Sequence, residues 1–135
     1  MEFTPKPKLT PITQPGDYVV CVRRIRDEDI SKTQKGDPKI KVLLTTSDNQ
    51  KINETFFGST DGALQRISAF VGIATKQNMG KPPKDVDGLR QFLSQAEGKL
   101  IKVSVVKKDV TFSSGETRTM CVVTRFMPFD PTPEF

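Results

Sequence analysis

The spacing of apolar residues changes period along this chain, and this change restricts the fold more than any single motif does. Residues 39–46, KIKVLLTT, place Ile40, Val42 and Leu44 at alternate positions, which predicts a strand with one buried face. Residues 59–74, STDGALQRISAFVGIA, instead repeat apolar side chains every three or four positions, which predicts an amphipathic helix. With 135 residues, about the size of one domain, the chain is expected to combine both elements around one core.

Five strand-like runs and two helix-like runs follow one another along the chain. We predict strands over residues 17–26, 39–46, 51–57, 99–110 and 117–126, and helices over residues 59–74 and 85–98. The order β-β-β-α-α-β-β is that of a mainly β protein with a helical insertion. More narrowly, it matches a five-stranded OB-type Greek-key barrel, in which the second and third strands present a face that binds oligonucleotides.

The same periodicity assigns the inner and outer side chains. The first helix is predicted to bury Leu64, Ile67, Ala74 and either Phe70 or Val71, and the second to bury Leu89, Phe92, Leu93 and Ala96. In the strand KINETFF we predict that Phe56 faces inward and Phe57 outward. Glu54 then shares the inner side with Phe56, which places a charged side chain among apolar ones.

Seven of the ten prolines lie in the first 15 or the last eight residues. Proline has no backbone N–H and is poorly suited to the interior of a helix or sheet. We therefore predict an extended N-terminal arm over residues 1–15, a folded domain over residues 16–126 and a flexible acidic C-terminal tail over residues 127–135.

Composition and charge narrow the class of protein. The chain is 35% hydrophobic and 27% charged, with a net charge of +5, which suits a globular protein with a polyanionic partner such as nucleic acid. It has no histidine, the commonest general base and metal ligand. No apolar run reaches the roughly 18 residues of a membrane span, and the first apolar run is strand-like, unlike a signal peptide. We expect a soluble cytoplasmic protein with no membrane partner.

Two groups of cations and aromatic rings form the predicted nucleic-acid interface. The first group follows the second and third strands and comprises Lys32, Lys35, Lys39, Lys41, Lys51 and Phe57. The second lies on the last hairpin and comprises Lys107, Lys108, Phe112 and Arg118. Lysines along a strand neutralise phosphates and release counterions, and an exposed ring stacks on bases. The alternative is that the cations are ordinary solvated side chains and the rings pack against neighbours.

Arg23, Arg24 and Arg26 come directly before the acidic run Asp27-Glu28-Asp29. Arginine binds phosphate with a planar fork, but local ion pairs with the three acids are the simpler expectation. A nuclease needs carboxylates that converge on a divalent metal, whereas neighbouring residues of an extended chain point to opposite sides. We therefore predict no catalytic residues, no metal site and no cofactor.

Three short motifs accompany the element order over residues 16–126: Gly16-x-Tyr18, Lys35-Gly36 and Gly98-Lys99. In these features the chain resembles a family of small phage-encoded single-stranded-DNA-binding proteins with an OB fold. The resemblance implies non-catalytic, sequence-tolerant binding of single-stranded DNA during phage replication or recombination, in the cytoplasm of a bacterial host. It also implies a small oligomer or cooperative binding. Because the chain has no tryptophan and one tyrosine, base stacking falls to phenylalanines and Tyr18.

The C-terminal sequence MPFDPTPEF is acidic and ends in an aromatic ring. It is similar to the tails with which bacterial single-stranded-DNA-binding proteins recruit replication and repair enzymes. That similarity implies a partner-binding segment formed by Phe129, Asp130, Glu134 and Phe135. Two alternatives stay open: a passive proline-rich end, or a terminal Glu-Phe left by cloning, since Glu2-Phe3 repeats that pair at the other end.

The element order is also compatible with a protein–protein adaptor that binds no nucleic acid, because a fold does not by itself determine a function. In that case Phe57 and Phe112 would anchor a protein partner. Salt-dependent binding of single-stranded DNA separates the two functions.

Overall fold

The computed structural model describes residues 8–129, which form a curled, mainly β sheet with two helices. The strands are β1 (Thr10–Pro11), β2 (Gly16–Val22), β3 (Ile30–Lys32), β4 (Pro38–Thr45), β5 (Gln50–Phe57), β6 (Leu100–Thr111) and β7 (Thr117–Pro128). The helices are α1 (Asp61–Thr75) and α2 (Val86–Ser94), both between β5 and β6. The mainly β class and the helical insertion are confirmed, whereas the described residues contain seven strands rather than five.

The strands lie in the order β1-β5-β4-β2-β6-β7, and β3 also pairs with β4. All pairs are antiparallel except β1 with β5. β2 and β3 lie along the same edge of β4 and are separated by a single 3-10 turn at Asp27–Asp29. They are therefore two parts of one bent strand, of which the sequence predicted only the first part.

The N-terminal arm joins the sheet through β1. The amides of Thr10 and Ile12 donate to the carbonyl oxygens of Asn49 and Lys51, both at 2.9 Å. These donors flank Pro11, so the missing N–H of the proline removes no hydrogen bond from this edge strand. Ile12 is only 4% exposed and belongs to the core. Residues 8–15 of the predicted extended arm thus contain a short strand that the proline content did not predict, and residues 1–7 lie outside the described residues.

Both helices cover the inner side of the sheet with the predicted residues, except that Phe92 is only partly buried. Thr60 caps α1 by accepting a hydrogen bond from the amide of Ala63 at 3.0 Å, and Asp85 caps α2 through the amide of Gly88 at 2.8 Å. The buried side chains include Leu64, Ile67, Phe70, Val71 and Ala74 of α1 and Leu89, Leu93 and Ala96 of α2 and the turn that follows it. Between residues 8 and 129, no helix has the length and apolar character needed to cross a membrane.

Three phenylalanine rings draw β5, α1 and β7 together. The ring centroid of Phe56 lies 4.8 Å from that of Phe70, which in turn lies 5.1 Å from that of Phe126. No backbone ladder joins β5 to β7 within residues 8–129, so side-chain packing brings these two strands together. Phe56 is 2% exposed and Phe57 is 38% exposed, which confirms the predicted orientation of both rings.

Phe56 and Phe57 are neighbours on one strand and provide a matched pair of substitutions. Replacing Phe56 by alanine removes a core ring and is expected to lower the free energy of unfolding by about 3–5 kcal/mol. Replacing Phe57 by alanine removes an exposed ring and is expected to cost less than about 1 kcal/mol. Urea unfolding of the two variants measures both values, and equal losses would contradict the assigned faces of β5.

Candidate nucleic-acid interface

Alternation along β4 and β5 places eight side chains on the side of the sheet opposite the core. We call this surface the outer β4–β5 face; its members are Lys39, Lys41, Leu43 and Thr45 of β4 and Lys51, Asn53, Thr55 and Phe57 of β5. Three of the eight are lysines and none is acidic. The face therefore combines positive charge, hydrogen-bonding groups and one exposed aromatic ring.

Phe57 lies directly opposite Lys39 in the register of β4 and β5. Such cross-strand partners have side chains close enough to act on one ligand, with Cβ atoms about 4.5–5.5 Å apart. The chain leaves β5 through Gly58, whose amide donates to the carbonyl oxygen of Pro38 at 3.0 Å. A Cβ on Gly58 would lie 2.8 Å from the Cδ1 atom of the buried Leu89, so a larger residue at this position would force that side chain to shift. The hydrogen bond from Gly58 to Pro38 holds the end of β5, and with it Phe57, in register with β4.

The remaining lysines of the first predicted group are distributed around this face. Lys35 is exposed at the tip of the β3–β4 hairpin, in a turn closed by the amide of Gly36 donating to Thr33 at 2.9 Å. Lys32 pairs with Pro38 and alternates with Ser31, the neighbour of Lys39, so it leaves the sheet on the opposite side from Lys39. The structure therefore brings Lys39, Lys41 and Phe57 together but separates Lys32 from them.

Lys51 and Lys107 share a groove between β5 and the β6–β7 hairpin. The groove has a volume of about 580 Å³ and is lined by Pro11, Ile12, Thr13, Lys51, Ile52, Asn53, Lys107, Thr119, Met120 and Cys121. Two members of the predicted interface that are 56 positions apart in sequence thus meet at one end of the outer β4–β5 face. Lys51 is half-buried there beside β1.

The other cations of the hairpin lie on its opposite side. Lys107 pairs with Cys121 and Lys108 with Met120, and consecutive pairs point to opposite sides of the ribbon. Phe112 and Arg118 pack together, with the guanidinium carbon 5.8 Å from the ring centroid. Arg118 also forms an ion pair with Glu116 at 2.9 Å, which offsets part of its charge. The second predicted group is therefore divided between the two sides of the hairpin.

The start of the predicted tail belongs to the folded body. β7 continues to Pro128, which pairs with Ile101. Phe129 is half-buried and, with Lys76 and Lys99 among others, lines a shallow pocket beside the C-terminal end of α1. Asp130, Glu134 and Phe135 lie outside the described residues, so their predicted role in binding a partner stays a prediction.

The sequence did not predict the surroundings of the acidic run Asp27-Glu28-Asp29, which lies beside a cavity lined by four arginines. The expected local pairing holds for Arg26, which bonds Glu28 at 2.8 Å and lies 3.6 Å from Asp29. Asp27 pairs instead with Arg90 of α2 at 2.6 Å. These two residues are 63 positions apart, so no local pattern could have joined them.

Between residues 8 and 129, no three His, Cys, Asp or Glu side chains come together as metal ligands would.

Glu54 lies beneath the outer β4–β5 face and points into the core. Its carboxylate pairs with the Arg66 guanidinium of α1 at 2.7 Å. The same guanidinium lies over the ring of Phe56, 5.4 Å from the centroid, and over that of Phe126 at 4.9 Å. Burial raises the pKa of the Glu54 carboxyl above its ordinary value of 4.5, and the hydrogen bond and charge of Arg66 oppose this rise without cancelling it. Arg66 thus explains how the inner side of β5 holds an acid.

In comparisons with known proteins, no family model matches the chain, and the search of curated proteins finds no matching sequence.

The raised pKa of Glu54 predicts a pH dependence of stability. The folded chain holds the Glu54 proton more tightly than the unfolded chain, so its contribution to stability falls as the pH rises through and above 4.5. We expect the free energy of unfolding of the wild type, minus that of Glu54→Gln, to be larger at pH 4 than at pH 7. Urea unfolding of both proteins between these pH values measures the difference. A difference that grows with pH would mean that the ion pair with Arg66 outweighs burial.

Proposed function

We propose that this protein binds single-stranded DNA along the outer β4–β5 face, without catalysis and with little sequence preference. The observation that supports this proposal best is the exposed ring of Phe57 directly across from Lys39, on a face that holds three lysines and no acid. Nucleic acid offers the complement of this surface, because a strand presents a row of phosphates and a row of flat bases.

Each part of the face acts on a different part of the strand. Lys39 and Lys41 lie on the same side of β4, roughly 7 Å apart along the strand, and can neutralise successive charges of a backbone laid over β4. Phe57 offers its ring to a base, a contact that any base can make. Asn53 and Thr55 add hydrogen-bonding groups beside the ring. Charge neutralisation and stacking are largely independent of base identity, which explains the proposed sequence tolerance.

The strand order supports an OB-type barrel as part of this proposal. If β2 and β3 are counted as one bent strand, the order of the five long elements across the sheet is 3-2-1-4-5. This is the order of an OB barrel opened between its third and fifth strands. β1 and the three-phenylalanine cluster occupy that opening. The loops that flank the binding face in an OB barrel correspond to residues 33–37 and 112–116, which contain Lys35 and Phe112.

The family resemblance extends the proposal to the cellular role. A sequence-tolerant coat on single strands suits phage DNA replication or recombination inside a bacterial cell, by a small oligomer or by cooperative binding. The acidic tail then has the role of recruiting a replication or recombination protein.

Titration with a fluorescent oligo-dT at several salt concentrations tests the binding face. Phe57→Ala is expected to weaken binding by about fivefold to 150-fold, the equivalent of 1–3 kcal/mol for one stacked base. Lys39→Ala with Lys41→Ala is expected to lower the slope of log K against log salt by about 1.4, or about 0.7 for each lost phosphate contact.

The matched control is Lys81→Ala with Lys84→Ala, which removes the same charge from the loop between α1 and α2. This variant should keep the affinity and the salt slope, because neither lysine lies on the outer β4–β5 face. Competition with an oligo-rU of equal length compares RNA with DNA. Absence of oligo-dT binding at micromolar protein in low salt would overturn the proposal.

Deletion of residues 130–135 tests the tail without removing any residue of β7 or the docked Phe129. Recruitment by the tail predicts unchanged or tighter binding of oligo-dT, because the deletion removes negative charge, together with loss of a protein partner. Weaker binding of oligo-dT by the deletion variant, measured in the same titration, would contradict a recruitment role.

An apolar strip on the β6–β7 hairpin favours a second candidate function, that of a protein–protein adaptor. Val106, Met120 and Phe112 are 38%, 43% and 39% exposed, and alternation places all three on the side of the hairpin opposite Lys107, with Met120 also bordering the groove. An adaptor would show no salt-dependent binding of oligo-dT and would lose its partner on substitution of Phe112 and Met120.

A further inference from the structure

A cavity of about 540 Å³ lies where β2 ends and the chain turns toward β3. Its wall contains four arginines and one acid, together with three apolar residues: Leu9, Arg23, Arg24, Ile25, Arg26, Asp27, Leu43 and Arg90. Four arginines around one space would repel one another unless anions offset their charge. The acids between residues 8 and 129 supply only part of that offset.

Two of the four arginines already have anionic partners. Arg90 donates to Asp27 at 2.6 Å and to the carbonyl oxygen of Ile25 at 3.4 Å. Arg26 is bonded to Glu28 and lies near Asp29. Arg23 and Arg24, by contrast, make no ion pair with any residue between positions 8 and 129. Residues 23–26 lie outside the strands, so strict alternation does not separate Arg23 from Arg24, and both are exposed and line the cavity. The acidic run therefore leaves two consecutive arginines of the lining without an ion-pair partner within residues 8–129.

The cavity is continuous with the outer β4–β5 face. The amide of Arg23 donates to the carbonyl oxygen of Leu43 at 3.0 Å and extends the β2–β4 register by one position. Arg23 therefore lies beside Leu43 on the outer side of the sheet, in line with Lys39 and Lys41. Leu43 belongs to the face and also lines the cavity. A backbone laid along β4 from Lys39 reaches Leu43 after roughly 13 Å.

We propose that this cavity binds a phosphate group of the same single strand, held between the guanidinium groups of Arg23 and Arg24. This inference rests on the proposed function, and it adds a site that the two predicted groups of cations do not include. A guanidinium group presents a planar fork of N–H donors that matches the oxygens of a phosphate. The carboxylate of Asp27 also lines the cavity, and its bond to Arg90 reduces its repulsion of a bound phosphate.

The test compares Arg23→Ala/Arg24→Ala with the control Lys81→Ala/Lys84→Ala, which removes equal charge away from the cavity. Binding of fluorescent oligo-dT is measured by anisotropy over a salt series. We expect the arginine variant to bind about tenfold more weakly or worse, with a salt slope lower by about 0.7 for each lost phosphate contact. The control should keep the wild-type slope. Far-UV circular dichroism should show wild-type melting, because Arg23 and Arg24 are both exposed.

A second variant, Arg23→Lys/Arg24→Lys, keeps the charge and removes the fork. It should keep the salt slope and lose affinity several-fold, because an ammonium group cannot bind phosphate through two parallel bonds. Wild-type affinity in this variant would overturn the phosphate clamp, by which we mean a phosphate held between the guanidinium groups of Arg23 and Arg24. Positive charge alone would then be sufficient for binding. A parallel titration with inorganic phosphate identifies the source of the ligand. If phosphate shifts the side-chain N–H resonances of Arg23 and Arg24 but oligo-dT does not, the assignment to a DNA strand is overturned.

The outcomes also separate this inference from the proposed function. If the wild type binds oligo-dT, Phe57→Ala weakens that binding and the arginine variant behaves like the control, the phosphate clamp alone is wrong. If the wild type binds no oligo-dT, the proposed function and the clamp both fail.

Discussion

The packing of Phe56 against Phe70 and Phe126 is the contact on which the rest of the structure depends. Side chains on a strand alternate with a period of two, so a slip of one residue would exchange the inner and outer side chains of β5. Burial of Phe56 therefore orients Phe57 outward, beside Lys39 of β4. The core contact and the candidate binding face are two consequences of one register, and neither can change without the other.

Acids and cations serve different purposes in this chain. Glu54, Asp27 and Glu28 each pair with an arginine, and these pairs connect β5 to α1 or fix the turn after β2. The lysines of the outer β4–β5 face have no acidic neighbour on that face. A partly buried pair such as Glu54 with Arg66 adds little net stability, because desolvation of the Glu54 carboxylate offsets its attraction. Its main effect is to let a polar residue occupy the inner side of β5 while the outer side stays free of negative charge.

The parts of the fold that were predicted from the sequence are those with a strong local signal. Alternation identified β4 and β5 and the orientation of Phe56 and Phe57, and helical spacing identified the buried side of α1. β1 and β3 have only two and three residues and show no period, so neither carries a strong local signal; β1 also depends on pairing with β5, which lies about 40 positions away in sequence. The pair between Asp27 and Arg90 also depends on long-range packing. Periodicity could thus locate the outer β4–β5 face, but it could not reveal the cavity at the end of that face.

The position of β4 within the sheet explains why cations from separate parts of the chain meet on one surface. β4 pairs with β5 along one edge and with both β2 and β3 along the other. The outer side of β4 is therefore flanked by Phe57 of β5 and, at the opposite end, by Arg23, which follows β2. β1 borders the far edge of β5, where the groove holds Lys51 and Lys107. A strand that follows β4 lengthwise meets Lys39, Lys41 and the arginine cavity in turn, whereas a strand that crosses β4 meets only one of them. The proposed DNA path therefore runs along β4, since that direction brings Lys39, Lys41 and the arginine cavity into contact with one backbone.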